Sequence, residues 1–191
     1  MLVGGLLKNS SELLMKQIEY EKMQSLSADA DRALILIGRA IRMAGYQNTN
    51  TILQKKKTSI SRDRSLEIQK GVGFDGSDTL IVKYQLPMGI NLDCIGNALG
   101  IDRTKNNLVH QGFLIKQDSS GTKNQHHRGG SLMCQSLDRQ GRIQNSTLMS
   151  GVERLIIEEQ SIPIGQPRLL TISLTMTNGF RIKRIFKRTF A

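Results

Sequence analysis

A chain of 191 residues is long enough for one well-packed domain with a protruding element, and too short for two large domains. Its formal net charge is +11, and residues 168–191 hold Arg168, Arg181, Lys183, Arg184, Lys187 and Arg188 with no acidic side chain among them. Clustered positive charge admits an anionic partner such as nucleic acid, phospholipid or an acidic protein, beside the plainer reading of a solvated face.

The N-terminal run Met1–Leu7 is apolar, far too short to span a bilayer, and lacks the parts of a complete secretory signal. From Asn9 to Ser25 there is no Pro or Gly, and Glu, Lys, Gln, Leu and Met dominate, so a helix is expected from about Ser10 to Ala44. At 1.5 Å per residue it would be roughly 50 Å long, more than a domain of this size needs internally. Leu26, Ala30, Ala33, Ile37, Ile41 and Ala44 recur at helical spacing, and Leu34 and Ala40 widen the stripe. That face is expected to pack on a body that follows, with Gly45 as the C-cap. Gly38 would suit a close approach there.

Periodicity is lost between Gln47 and Ser65, where Lys55, Lys56 and Lys57 stand in a basic connecting loop. The domain organisation read from the sequence is a helix over 1–46, a connecting region over 47–78 and a β-sheet domain over 79–191. The run Gly71-Val72-Gly73-Phe74-Asp75-Gly76 matches a dinucleotide fingerprint in form only, because a strand, Thr79–Leu86, follows where a helix is required. Extended patterns return at Phe113–Ile115, Leu132–Gln135 and Val152–Glu158. His126 and His127 are adjacent and have no zinc-ligand spacing around them.

The C-terminal end carries the clearest β signal. Leu169–Met176 and Phe180–Phe186 flank Asn178-Gly179, and a three-residue loop would pair Met176 with Phe180, Leu174 with Ile182 and Leu170 with Phe186. Arg181, Lys183 and Lys187 would then share the face opposite the apolar one. One helix followed by successive strands predicts an α+β domain, the sheet wrapped on the helix's apolar face. Cys94 and Cys134 can make one intramolecular bridge at most, worth on the order of 4 kcal/mol in the chain-entropy model, and their number does not fix the redox compartment.

Several stretches together resemble the PilW-like minor pilins of type IV pili. They are Arg32-Ala33-Leu34 through Arg42-Met43-Ala44-Gly45-Tyr46, Gly76-Ser77-Asp78-Thr79-Leu80, Asp93-Cys94-Ile95-Gly96, Leu132-Met133-Cys134 and Gly151-Val152-Glu153. The resemblance implies a type IV pilin-like fold, a long N-terminal α-helix packed on an antiparallel β-sheet, with Cys94 and Cys134 bridged in the periplasm. It implies anchorage in the inner membrane before entry into a cell-surface pilus, and other minor pilins and the major pilin as partners. Pilins begin with a basic leader, a processing site and an apolar segment containing glutamate; Leu2–Leu7 resemble the last part of that segment, so a chain shortened at its membrane end is expected.

The expected function is therefore a non-enzymatic minor pilin that joins or primes pilus assembly and supports adhesion, motility or DNA uptake. A minor pseudopilin of type II secretion is the nearest alternative. A third reading is an anion-binding module, with DNA as candidate partner, using Arg181, Lys183, Lys187 and Lys55–Lys57. No acid-base pair, nucleophile set, cofactor motif or metal motif stands out, which agrees with a structural role.

Overall fold

A computed structural model describes residues 3–48, 65–117, 129–160, 168–178 and 182–191, with side chains from residue 11 onward. Helix α1 runs Val3–Met43, and seven strands follow: β1 Leu66–Gln69, β2 Thr79–Gln85, β3 Leu108–Gln117, β4 Gly130–Leu137, β5 Ile143–Gln160, β6 Leu169–Thr177 and β7 Lys183–Phe190. They form one antiparallel sheet in chain order from β1 to β7. Each strand pairs with the next, so local connections build the whole sheet.

The expectation of a type IV pilin-like fold is corrected by this architecture. Among the described residues the chain is mostly a seven-stranded antiparallel sheet with a single α-helix at its N-terminal end, which is not a long helix packed on a sheet in the pilin way. Alternation along the strands supplies most of the core: Leu80, Val82 and Tyr84 of β2, Val109, Phe113 and Ile115 of β3, and Leu170, Ile172, Leu174 and Met176 of β6 are all buried. The sheet is the body, and the helix covers part of one face. A 3.6-residue stripe stands out in a sequence more than seven short alternations do, so the helix is more conspicuous there than the sheet.

Within α1, Ala30, Ala33, Leu34, Ile37, Ala40 and Ile41 are buried in the same cluster as the inward sheet residues, and Leu26, with Ala44 just past the helix end, is partly buried against it. The helix touches β2, β6 and β7. At its end Gly45 takes φ +73° and donates its N–H to the Lys83 carbonyl at 3.1 Å, tying the helix terminus to β2.

Strand β5 is shared lengthwise. Residues up to Val152 pair with β4, and Val152 onward with β6, across an irregularity next to Gly151, whose φ is +76°. The edge that β4 leaves open is closed by the β1–β2 connection. Asp78 donates its N–H to the Leu155 carbonyl at 2.8 Å and accepts the Ile157 N–H on its carboxylate at 2.8 Å. Ser77 Oγ accepts the Leu155 N–H at 3.3 Å, and Lys70 Nζ bonds the Ile157 carbonyl.

The hairpin register is also corrected. Leu170 faces Phe190, Leu174 faces Phe186 and Met176 faces Arg184, with Thr177 and Lys183 closing the ladder. The strands are displaced by four residues from the expected pairing. An even displacement keeps every side chain on its expected face, so the apolar pattern does not distinguish the two registers. The observed one brings Phe190 against Gly38 of the helix. Strand β1 lies inside the stretch read as a connecting region.

Candidate functional site

The helix stem is the feature that the chain leaves least used. Residues 11–22 are exposed, a length of about 18 Å. Leu13, Leu14, Met15, Ile18 and Tyr20 are 46–68% exposed. Leu13 and Tyr20 lie seven apart on one stripe, and Leu14, Met15 and Ile18 form a second. A helix this polar and uncovered is marginal alone, so its docked half serves as the nucleus from which the stem continues. No helix among the described residues is long and apolar enough to cross a membrane.

Cys94 and Cys134 are bonded, with Cα atoms 6.1 Å apart. Cys134 is on the inward side of β4 opposite Phe113, and Cys94 sits in a loop folded around Asp93. The Asp93 carboxylate accepts the N–H groups of Ile95 at 3.0 Å and Asn97 at 2.8 Å, and Gly96 takes φ +88°. The bridge therefore fastens an already self-bonded loop to the middle of the sheet.

The cations expected to act together are dispersed. Lys183 Nζ is 2.6 Å from Glu153, while Lys187 is exposed on the same outer face and Arg184 on the other. Arg188 pairs with Asp31 of the helix at 3.1 Å. Lys55, Lys56, Lys57 and Arg181, with His126 and His127, lie outside the described residues.

A different basic site is present on the sheet face opposite the helix. Val82, Tyr84 and Val109 point into the core, so Lys83, Leu108 and His110 point out beneath a cleft of about 530 Å³. Lys105, Asn106, Val109, Leu137, Gly141, Arg142 and Ile143 complete its lining among the described residues. Two turns build the rim. Asn106 and Asn107 have φ of 55° and 61°, and Lys105 and Leu108 exchange N–H to carbonyl bonds of 3.0 Å in each direction, a two-residue hairpin turn that suits asparagine. In the other, Asp138 accepts the N–H groups of Gln140 and Arg142 at 2.8 and 2.9 Å and the Arg142 Nε–H at 2.8 Å. The Arg142 amide, ahead of its guanidinium, holds the Asp138 carboxyl below the usual range.

His110 forms part of the floor. Burial lowers its pKa from the ordinary 6.5, against the opposing effect of its 3.5 Å contact with Gln135, so the neutral imidazole is favoured near pH 7. Glu67 is 3.8 Å from Lys83. The cleft was missed in the sequence because its cations are 22 and 37 positions apart and belong to no motif; the Asn106-Asn107 pair was the visible local signal. Among the described residues no group of three or more His, Cys, Asp or Glu could hold a metal ion.

Comparison with protein-family models, with curated proteins and with solved structures finds no match for this chain.

Proposed function

We propose that this chain is a non-enzymatic assembly subunit whose projecting helix packs against the helices of other subunits, in the manner of a minor pilin that joins or primes a type IV pilus. The observation that carries the reading is the uncovered stem: five large apolar side chains on a helix whose other half is firmly docked. Single exposed apolar residues need no explanation, but two helical stripes of them are what one helix offers another. The proposal draws on the stem and on the family-like stretches, and it does not depend on a pilin fold. A subunit of this kind works by geometry, since repeated contacts between copies or relatives extend a filament.

Support for adhesion, motility or DNA uptake, together with inner-membrane, periplasmic and pilus localisation, belongs to the same proposal. The bonded cysteines suit an oxidising compartment. A minor pseudopilin of type II secretion would use the same stem. Direct DNA binding by the C-terminal hairpin is less supported, because its described cations are divided between the two sheet faces, Lys183 and Lys187 on one and Arg184 and Arg188 on the other.

The test is capture of purified minor pilins and pseudopilins by this chain and by a Leu14→Glu/Ile18→Glu variant. Capture of pilus components by the parent, abolished in the variant at unchanged thermal stability, is the expected result. Capture of secretion components alone would move the assignment to that machine, and equal capture by the variant would remove the stem from the interface.

A further inference from the structure

The cleft on the outer face of the sheet lies away from the stem and is not needed by the assembly reading. Its lining includes Lys83, Lys105, Arg142, Asn106 and His110, and no Asp or Glu among the described residues. Glu67 pairs with Lys83 at 3.8 Å and Asp138 with Arg142 at 2.8 Å, and neither acid is among the described lining residues. Among the described residues Lys105 has no ion pair, and it is exposed on its turn. Leu108, Leu137 and Ile143 give the cleft an apolar wall, with Ile143 58% exposed.

We infer that this cleft binds an organic carboxylate, its charged group held between Lys83, Lys105 and Arg142 and its apolar body against Leu108, Leu137 and Ile143. The volume is that of a small-ligand site, and a few convergent polar groups on an apolar wall are the usual composition of one. The anion makes charge-assisted hydrogen bonds to ammonium and guanidinium groups. Both rim turns are held by backbone hydrogen bonds before any ligand arrives, so little ordering accompanies binding. The apolar wall selects an organic acid over a bare inorganic anion, which would leave that wall in water.

A free small acid and a chain-terminal carboxylate present the same group, and the experiment separates them. The full chain, bridge intact, is titrated with benzoate, benzamide, inorganic phosphate and acetyl-leucyl-phenylalanine as free acid and as amide, followed by amide NMR shifts. Saturable shifts at Leu108, His110 and Ile143 with the acids, absent with both amides, are expected. Tighter binding of benzoate assigns the site to small acids, tighter binding of the peptide acid to a polypeptide terminus, and both support the carboxylate. Lys83→Gln/Lys105→Gln should weaken binding by about tenfold or more at an unchanged denaturation midpoint. Should that variant be unstable, Ile143→Asp supplies the second test, because a negative charge at the rim should abolish the shifts. Equal response to benzamide or to phosphate, or retained binding in a folded variant, overturns the inference.

Discussion

Asp78 joins two parts of the sheet that the chain order leaves apart. Its carboxylate is buried and accepts from the Ile157 and Gly71 N–H groups and from Lys70. Asp78→Ala would strand two backbone donors and should destabilise the protein by about 3 kcal/mol in a denaturant titration, with Asp78→Asn losing less. The stretch Gly76–Leu80 was conspicuous in the sequence, but what Asp78 does was hidden, because Ile157 lies 79 residues away. Asp93 is the opposite case: its partners Ile95 and Asn97 are adjacent, so an Asx-type loop was readable in principle.

Two titrating side chains, Tyr84 in the core and the half-buried His110, make stability depend on pH. His110 has a folded pKa below 6.5, so the unfolded chain takes up protons first as pH falls. The stability it contributes is complete above pH 6.5 and declines below it, and His110→Gln should flatten that slope. Burial pushes Tyr84 from 10.0 up to about 12, with Arg39 opposing. Stability should therefore fall as pH rises from 10 toward 12, by about 2–3 kcal/mol in all, and Tyr84→Phe should remove the loss.

Where the helix lies on the sheet, its closest approach is at Gly38. A Cβ on Gly38 would overlap the Phe190 ring. Gly38→Val should destabilise the fold by about 3 kcal/mol despite the better helix propensity of valine, and Gly38→Val/Phe190→Ala should recover part of the folding cooperativity. The reason for Gly38 was foreseeable as a close approach, whereas the partner was not, because the expected hairpin ended at Phe186. The four-residue displacement preserves the alternation on both strands, so local pattern cannot choose between registers; the docking of Phe190 on the helix does. Strand β1, four residues long, gives too little alternation to be read. The full extent of β5 was masked by a glycine bulge and by a first half that is mostly not buried.

For the whole molecule, the bridge and the sheet act as one constraint. Breaking it by Cys94→Ser/Cys134→Ser should lower stability by about 4 kcal/mol or somewhat less, read as a shift in denaturation midpoint at constant native structure. Thiol reagents should label neither cysteine in the folded, non-reduced protein. The helix and its apolar stripe were legible from sequence, because both are local periodicities. The predominance of the sheet, its meander and the outer cleft were not, since each depends on strands brought together from distant positions.

The helix that leaves the body also makes a handle. Tension applied to it reaches β2 through Gly45 and the edge strand β7 through Gly38 and Asp31, so pulling it free means opening the core itself. Once the sheet parts, the bridge still short-circuits the chain between Cys94 and Cys134. A molecule stretched from its ends in a force spectrometer should therefore come up short by about 130 Å of contour, and a reductant should restore that length. Under load the bridge would act as a mechanical stop: extension would end before β3 was drawn out.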